Sequence, residues 1–284
     1  AVTATSGNTQ AAIRWTAPAS TGGSAITGYP ARAWSATTAG TQLGSCTAAT
    51  TTCTITGLAN GTAVYIDVIA TNATGSGAAS TPRVAVTPRT VPGAPTTVVT
   101  TPGNGRLTVA WAAPSNTGGS AITGYTATAW SSATGGVALK SCQSDAANRS
   151  CRIAGLTNGV TVYVDVVAIN AAGTGTASAP RVASAPSAAA GQARRVNQRD
   201  ADQGRQIIVS WTAPEDDGGL PITGYIVSAW DAPVGGSVLA KCSTTGATTC
   251  TLTGLEKNRR YYIDVAVQTS AGTSTFAAPR TATR

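Results

Sequence analysis

Three pairs of cysteines, Cys46 and Cys53, Cys142 and Cys151, Cys242 and Cys250, carry the plainest chemistry in this chain. Six thiols allow fifteen pairings in principle. Their threefold repetition at short separation favours the local one. Each such disulfide would stabilise by about 2 to 2.5 kcal/mol in the chain-entropy account of short loops. Disulfides point to an oxidising compartment, hence to an extracellular or cell-surface protein. The alternative is a thiolate metal site, but two thiols per pair need further ligands and the chain has no histidine.

The same absence removes the commonest general base, so a serine or cysteine nucleophile has no imidazole to activate it. With 11 carboxylates in 284 residues, paired acids are scarce. One cluster, Glu215-Asp216-Asp217 before Gly218-Gly219, has oxygen ligands of the kind calcium takes. Its spacing matches no loop motif, and Ala19-Ser20-Thr21 and Ser115-Asn116-Thr117 stand at the corresponding positions of related stretches, so a solvated turn is expected. No catalytic residue, metal or cofactor is assigned. The net charge of +8 rests on a chain in which only 11% of residues are charged, which does not make a nucleic-acid binder. The basic residues Arg194, Arg195, Arg199, Lys257, Arg259 and Arg260 interleave with Asp200, Asp202 and Glu256, as on an ordinary charged surface. No apolar run approaches the roughly 20 residues of a membrane-spanning helix, so no membrane insertion is expected. The absence of methionine, even at position 1, points to a processed chain or a segment of something longer.

These residues recur with a period. "IRWTAPASTGGSAITGY", "VAWAAPSNTGGSAITGY" and "VSWTAPEDDGGLPITGY" are one motif written three times, with Trp15, Trp111 and Trp211 leading each copy. Downstream, "GLANGTAVYIDV", "GLTNGVTVYVDV" and "GLEKNRRYYIDV" correspond, and each unit closes with a Pro-Arg pair: Pro82-Arg83, Pro180-Arg181 and Pro279-Arg280. A period near one hundred residues is domain-sized. We therefore divide the chain into units 1–88, 89–186 and 187–284. Within each, short alternating runs of Val, Ile, Thr and Tyr between Gly, Pro and Asn predict an all-β unit of about seven antiparallel strands. The Pro-rich connector 87–95 reads as a stiff joint, and the segment 184–192 as a looser one.

The W-x-A-P and G-G-x-x-I-T-G-Y stretches, the G-L-x-N-G turn and the V-x-A-x-N tail resemble fibronectin type III domains, of the kind found in secreted or surface proteins of bacteria. The resemblance covers essentially the whole chain in three copies. It implies Ig-like sandwiches in a linear array, with strand order A-B-C-C′-E-F-G, a core tryptophan on strand B and a core tyrosine on strand C (Tyr29, Tyr125 and Tyr225). Each cysteine pair would then bracket the C′-to-E connection and staple one sheet to the other. Family members usually carry a tyrosine six residues after the leucine of G-L. Here Leu58 and Leu156 lead instead to Val64 and Val162, and only Leu255 leads to a tyrosine, Tyr261.

That departure has a consequence for the outer face. Because side chains alternate along a strand, Tyr65 and Tyr163, displaced by one residue, face outward, as does Tyr262 beside Tyr261. Asp67, Asp165 and Asp264, two residues further on, share that face. Counting from the inward Tyr29, Tyr125 and Tyr225, the strand-C tryptophans Trp34, Trp130 and Trp230 also point outward. They should lie beside Tyr65, Tyr163 and Tyr262, and Arg32 across from Asp67 in a surface ion pair of small energetic value. Two roles fit these pairs: bracing a sheet with a thin core, or an exposed contact face repeated three times. The expected function is a non-catalytic extracellular spacer or adhesion rod, with a protein or polysaccharide surface, or copies of itself, as partner. Two alternatives are a carbohydrate-binding accessory region of a polysaccharide-degrading enzyme and a structural subunit packing laterally in a filament or virion.

Overall fold

In the smaller sheet of each unit, alternation of inward apolar residues with outward ones makes half-buried strands. In Gln10–Trp15 the buried positions are Ala11, Ile13 and Trp15, and those between face solvent. In the computed structural model, which describes residues 1–203, 205–274 and 280–283, the first unit consists of β1 (Val2–Gly7), β2 (Gln10–Trp15), β3 (Ile26–Trp34), β4 (Gln42–Ala48), β5 (Thr52–Thr56), β6 (Val64–Val68), β7 (Thr71–Asn72), β8 (Gly75–Ser76) and β9 (Val84–Val86). One sheet has the order β1-β2-β5. The other carries β4, β3, β6 and β9 side by side, with the short β7 and β8 extending it. All pairings are antiparallel. Two further sandwiches repeat this plan. One pairs Thr96–Gly103, Arg106–Ala112 and Ser150–Ala154 and sets them against a sheet centred on Ile122–Trp130 and Val162–Asn170. The other does the same around Gly224–Trp230 and Tyr262–Thr269.

The cores are three separate clusters. In each, the strand-B tryptophan meets the strand-C tyrosine at a tilted angle: Trp15 with Tyr29 at 5.6 Å, Trp111 with Tyr125 at 5.4 Å, Trp211 with Tyr225 at 5.2 Å between ring centroids. Such tilted pairs add about 0.5–1.5 kcal/mol beyond the area they bury. Alanines fill the rest of the strand-C inner face in units 1 and 2, with Ala31, Ala33, Ala127 and Ala129 fully buried.

One sequence difference alters a strand. Pro30 sits mid-β3, where units 2 and 3 have Thr126 and Ile226. It accepts a hydrogen bond from Ile69 N–H at 2.9 Å but has no N–H to return. The partner strand, continuous over Val162–Asn170 in unit 2, is here divided into β6 and β7.

The disulfides join the two sheets of each sandwich. Cys46 on β4 bonds Cys53 on β5, and Cys142–Cys151 and Cys242–Cys250 repeat the bridge, all partly buried against the cores.

The units meet through glycine. The turn between β5 and β6 brings Gly61 against Gly119, which lies in the loop between the second and third strands of unit 2. A Cβ on Gly119 would fall 2.3 Å from Gly61 N. The linker seals this contact: Thr90 N–H donates to Gly118 O at 2.8 Å, Gly93 N–H to Asn116 O at 2.8 Å, and Gly61 N–H to Pro88 O at 2.9 Å. The next junction repeats the arrangement with Gly159 against Gly219, where a Cβ would fall 2.2 Å from Gly159 N. Its linker bonds are Ala188 N–H to Gly218 O (2.9 Å), Gly191 N–H to Asp216 O (2.7 Å) and Gly159 N–H to Pro186 O (2.9 Å). The segment 184–192 is therefore seated as its proline-rich counterpart is. Against the looseness expected from its small residues stand these backbone bonds, which need no particular side chain.

Candidate functional site

The outer face of the sheet around β3 places Trp34 opposite Tyr65 in register, Trp130 opposite Tyr163, and Trp230 opposite Tyr262. All six side chains are half-buried. Each tryptophan lies at the end of its strand, where the pairing with the next strand shifts register.

What covers the indole is a guanidinium. Arg83 lies 4.4 Å from the centroid of the Trp34 ring, Arg181 4.1 Å from Trp130 and Arg280 3.6 Å from Trp230. Each contact is worth about 0.5 to 2 kcal/mol depending on how dry it is. These are the arginines of the Pro-Arg pairs that close each unit (Pro279 lies outside the described residues). Their Nε atoms donate to the aspartates of the neighbouring strand: Arg83 to Asp67 at 3.1 Å, Arg181 to Asp165 at 2.9 Å, Arg280 to Asp264 at 3.0 Å. Their Nη1 atoms hold the turn after the tryptophan. Arg83 reaches Ala36 O (2.9 Å) and Ala39 O (2.7 Å), Arg181 reaches Ser132 O (2.9 Å) and Gly135 O (2.7 Å), and Arg280 reaches Ala232 O (2.8 Å) and Gly235 O (2.6 Å). One planar side chain thus ties an aspartate, an indole face and a turn together in each unit.

This corrects two expectations. The aspartates do point to the outer face, but they are not solvent-facing: Asp67 is 2% exposed, Asp165 5% and Asp264 1%. The Arg32–Asp67 pair, with Nε to Oδ1 at 2.9 Å, is correspondingly more than a surface contact, since Asp67 is held between Arg32 and Arg83 and sheltered from water. In unit 3 burial pushes the Asp264 carboxyl above its ordinary value. The Trp230 indole N–H that it accepts and the Arg280 guanidinium pull the other way. The indole nitrogens of Trp34, Trp130 and Trp230 are all shielded from solvent.

The sequence carried a sign of this clamp. Asp and Arg are separated by 16 residues in all three units, although the units differ in spacing elsewhere. A charge pair kept at fixed distance beside a repeated tryptophan is a contact signature.

The turn before β6 is braced in two ways. In unit 3, Tyr261 takes the place usual for the family and accepts a hydrogen bond from Glu256 N–H at 2.6 Å. Units 1 and 2, with valine there, use an asparagine clasp instead. Asn60 accepts from Thr9 N–H and donates to Asn8, both at 2.9 Å; Asn158 does the same with Gly105 (2.8 Å) and Asn104 (2.9 Å).

The acidic loop of unit 3 spends its oxygens internally. Asp216 accepts from Gly218 N–H and Asp217 from Gly219 N–H, each at 2.8 Å, and Glu215 pairs with Arg194. Among the described residues no three His, Cys, Asp or Glu side chains converge as metal ligands. An open cleft of about 790 Å³ in unit 3 is bordered by Arg199, Arg259, Arg260 and Tyr261. Asp200 and Thr283 line the same cleft, so a carboxylate and a hydroxyl share it with the guanidinium groups. No helix is long and apolar enough to cross a membrane among the described residues.

The model of the fibronectin type III domain matches the chain three times, over residues 1–86, 93–184 and 192–283. Among solved structures, the crystal structure of chicken CNTN1 FN1-FN3 domains is similar at 20% identity, covering 99% of this chain and 96% of that one, with a TM-score of 0.38. With sandwich, strand order and core in place in each copy, the chain belongs to the fibronectin type III family, as three domains in tandem.

Proposed function

We propose that the chain is a non-catalytic extracellular spacer with an adhesive or display role, one that sets position between whatever lies at its two ends. The observation that carries this is the glycine-to-glycine joint, made twice with the same atoms: Gly61 against Gly119 and Gly159 against Gly219. A joint with one geometry passes orientation from unit to unit, as a spacer requires. The disulfide in each sandwich suits work outside the cell.

A carbohydrate-binding accessory role predicts retention on insoluble polysaccharide. We expect the purified chain to show no retention on chitin or cellulose in pull-down, and no turnover of polysaccharide or peptide substrates. Retention abolished by losing Trp34, Trp130 and Trp230 would replace the spacer with the accessory role.

For the tryptophan faces themselves, we infer bracing rather than capture. The guanidinium on each indole and the shielded indole nitrogen leave little ring for a ligand to stack on. Changing Trp34, Trp130 and Trp230 together to alanine should therefore lower the melting temperature, by about 2 kcal/mol or more per unit in equilibrium unfolding. A variant that melts as the wild type does, yet loses a partner, would show the faces to be contact sites.

A further inference from the structure

Unit 2 receives the linker in a groove between two of its loops. Besides the bonds from Thr90 and Gly93, Asn170 Nδ2 donates to Thr90 O and to Thr117 O, both at 2.8 Å, and Thr176 N–H donates to Pro92 O at 3.2 Å. Gly175 lies so close beneath Pro92 that a Cβ there would fall 2.3 Å from Pro92 O. Asn170 is buried as a result.

Unit 1 has the same groove, and it is open. A cavity of about 540 Å³ is bordered by Ser20, Gly22, Asn72 and Gly77, the counterparts of Asn116, Gly118, Asn170 and Gly175. The loop already holds the receiving conformation: Gly22 and Gly23 have φ of 69° and 86°, against 73° and 80° for Gly118 and Gly119. Nothing lies on it. A Cβ on Gly23 would meet no atom within 4 Å. Asn72 Nδ2 donates to Thr21 O at 2.7 Å, as Asn170 does to Thr117, while the bond that Asn170 gives the linker has no counterpart. Gly77 is the telling residue. Its φ is not in the left-handed region, and a Cβ there would meet nothing closer than Ala70 O at 3.4 Å. No contact within unit 1 demands glycine at that place. An arriving linker would, as Pro92 does at Gly175.

We propose that this groove of unit 1 is a docking site for the edge of another fibronectin type III domain of this kind, one presenting an Asn-Gly turn and a Val-Pro-Gly linker. Two details select that occupant. The glycine at position 77 matches the Val91-Pro92 linker of the first junction, whereas the second junction, with Ala189-Ala190 in the linker, has Ser274 there. Unit 3 of a second copy does not qualify. Its turn carries Lys257-Asn258 in place of Asn60-Gly61, and an Asn258 side chain would project where Gly61 and Gly119 stand nearly backbone to backbone. The unit 3 turn therefore does not offer the glycine face that this joint uses.

The test is a chain with a second copy of residues 1–96 placed ahead of Ala1, which keeps the register because Thr97 of unit 2 corresponds to Ala1. We expect exchange of the Ala78 amide, the counterpart of Thr176, to slow at least tenfold relative to the original chain. Gly23→Ala should abolish that slowing in the extended chain. Unchanged exchange at Ala78 with Thr176 still protected would overturn the proposal while leaving the spacer joint intact; loss of protection at Thr176 itself would instead count against the joint. Should the added domain not fold, the peptide of residues 87–95, added at millimolar concentration to the original chain, reads the same site. Shifts at Ala78 and the Asn72 side-chain amide are expected, and no shift at either overturns the proposal.

Discussion

Arg181→Ala is expected to destabilise unit 2 by about 3 kcal/mol, lowering the melting of that unit by about 15 °C. The cause is the buried Asp165 carboxylate. Its Oδ2 accepts from Arg181 Nε at 2.9 Å, and its side chain is only 7% exposed, so removing the arginine leaves a charge with neither water nor a cation. The same change strips the indole face of Trp130 and frees the Ser132 and Gly135 carbonyls. Asp165→Asn added to Arg181→Ala should recover part of the loss, because it removes the stranded charge. Arg152→Ala, an exposed arginine on the opposite sheet, should change stability by less than about 0.5 kcal/mol. Equal small losses for Arg181→Ala and Arg152→Ala in urea unfolding would show that the clamp contributes nothing.

The second large effect separates backbone strain from contact. Gly119→Ala and Gly23→Ala place a side chain at nearly the same φ, 80° and 86°, so each carries a similar strain of about 1 kcal/mol. Only Gly119 has a neighbour: its Cβ would fall 2.3 Å from Gly61 N and 2.6 Å from Asn60 C. The two backbones must part. We expect Gly119→Ala to speed exchange of the Thr90 and Thr176 amides at least tenfold, and Gly23→Ala to leave both as they are. If the two substitutions behaved alike, the glycines would serve their own loops and not the joint.

Much of the fold was legible because the sequence states it three times. A motif with a core tryptophan, a core tyrosine and a local cysteine pair in each copy leaves little freedom in strand order. Parity counted from Tyr125 was enough to set Trp130 beside Tyr163, since strand alternation propagates along an unbroken strand. It could not place Arg181. That residue lies outside the paired strands, between Gly173–Thr174 and Val182–Ser184, where no alternation fixes a direction. Asp165 was set on the correct face, but its burial depended on that missing arginine. The joints were hidden for another reason. Gly118 and Gly119 have a sufficient local cause in their positive φ, so their second duty as a contact surface shows only when the neighbouring unit is present.

The central claim is that the three domains are held in a fixed relation by glycine joints, as a spacer needs. Residual dipolar couplings measured over the whole chain in a weakly aligned medium test it most directly. The account predicts that couplings from units 1, 2 and 3 fit one alignment tensor of common magnitude, in the orientation set by Gly61 on Gly119 and Gly159 on Gly219. Three tensors of unequal magnitude, one for each domain, would show units that reorient independently and would contradict it.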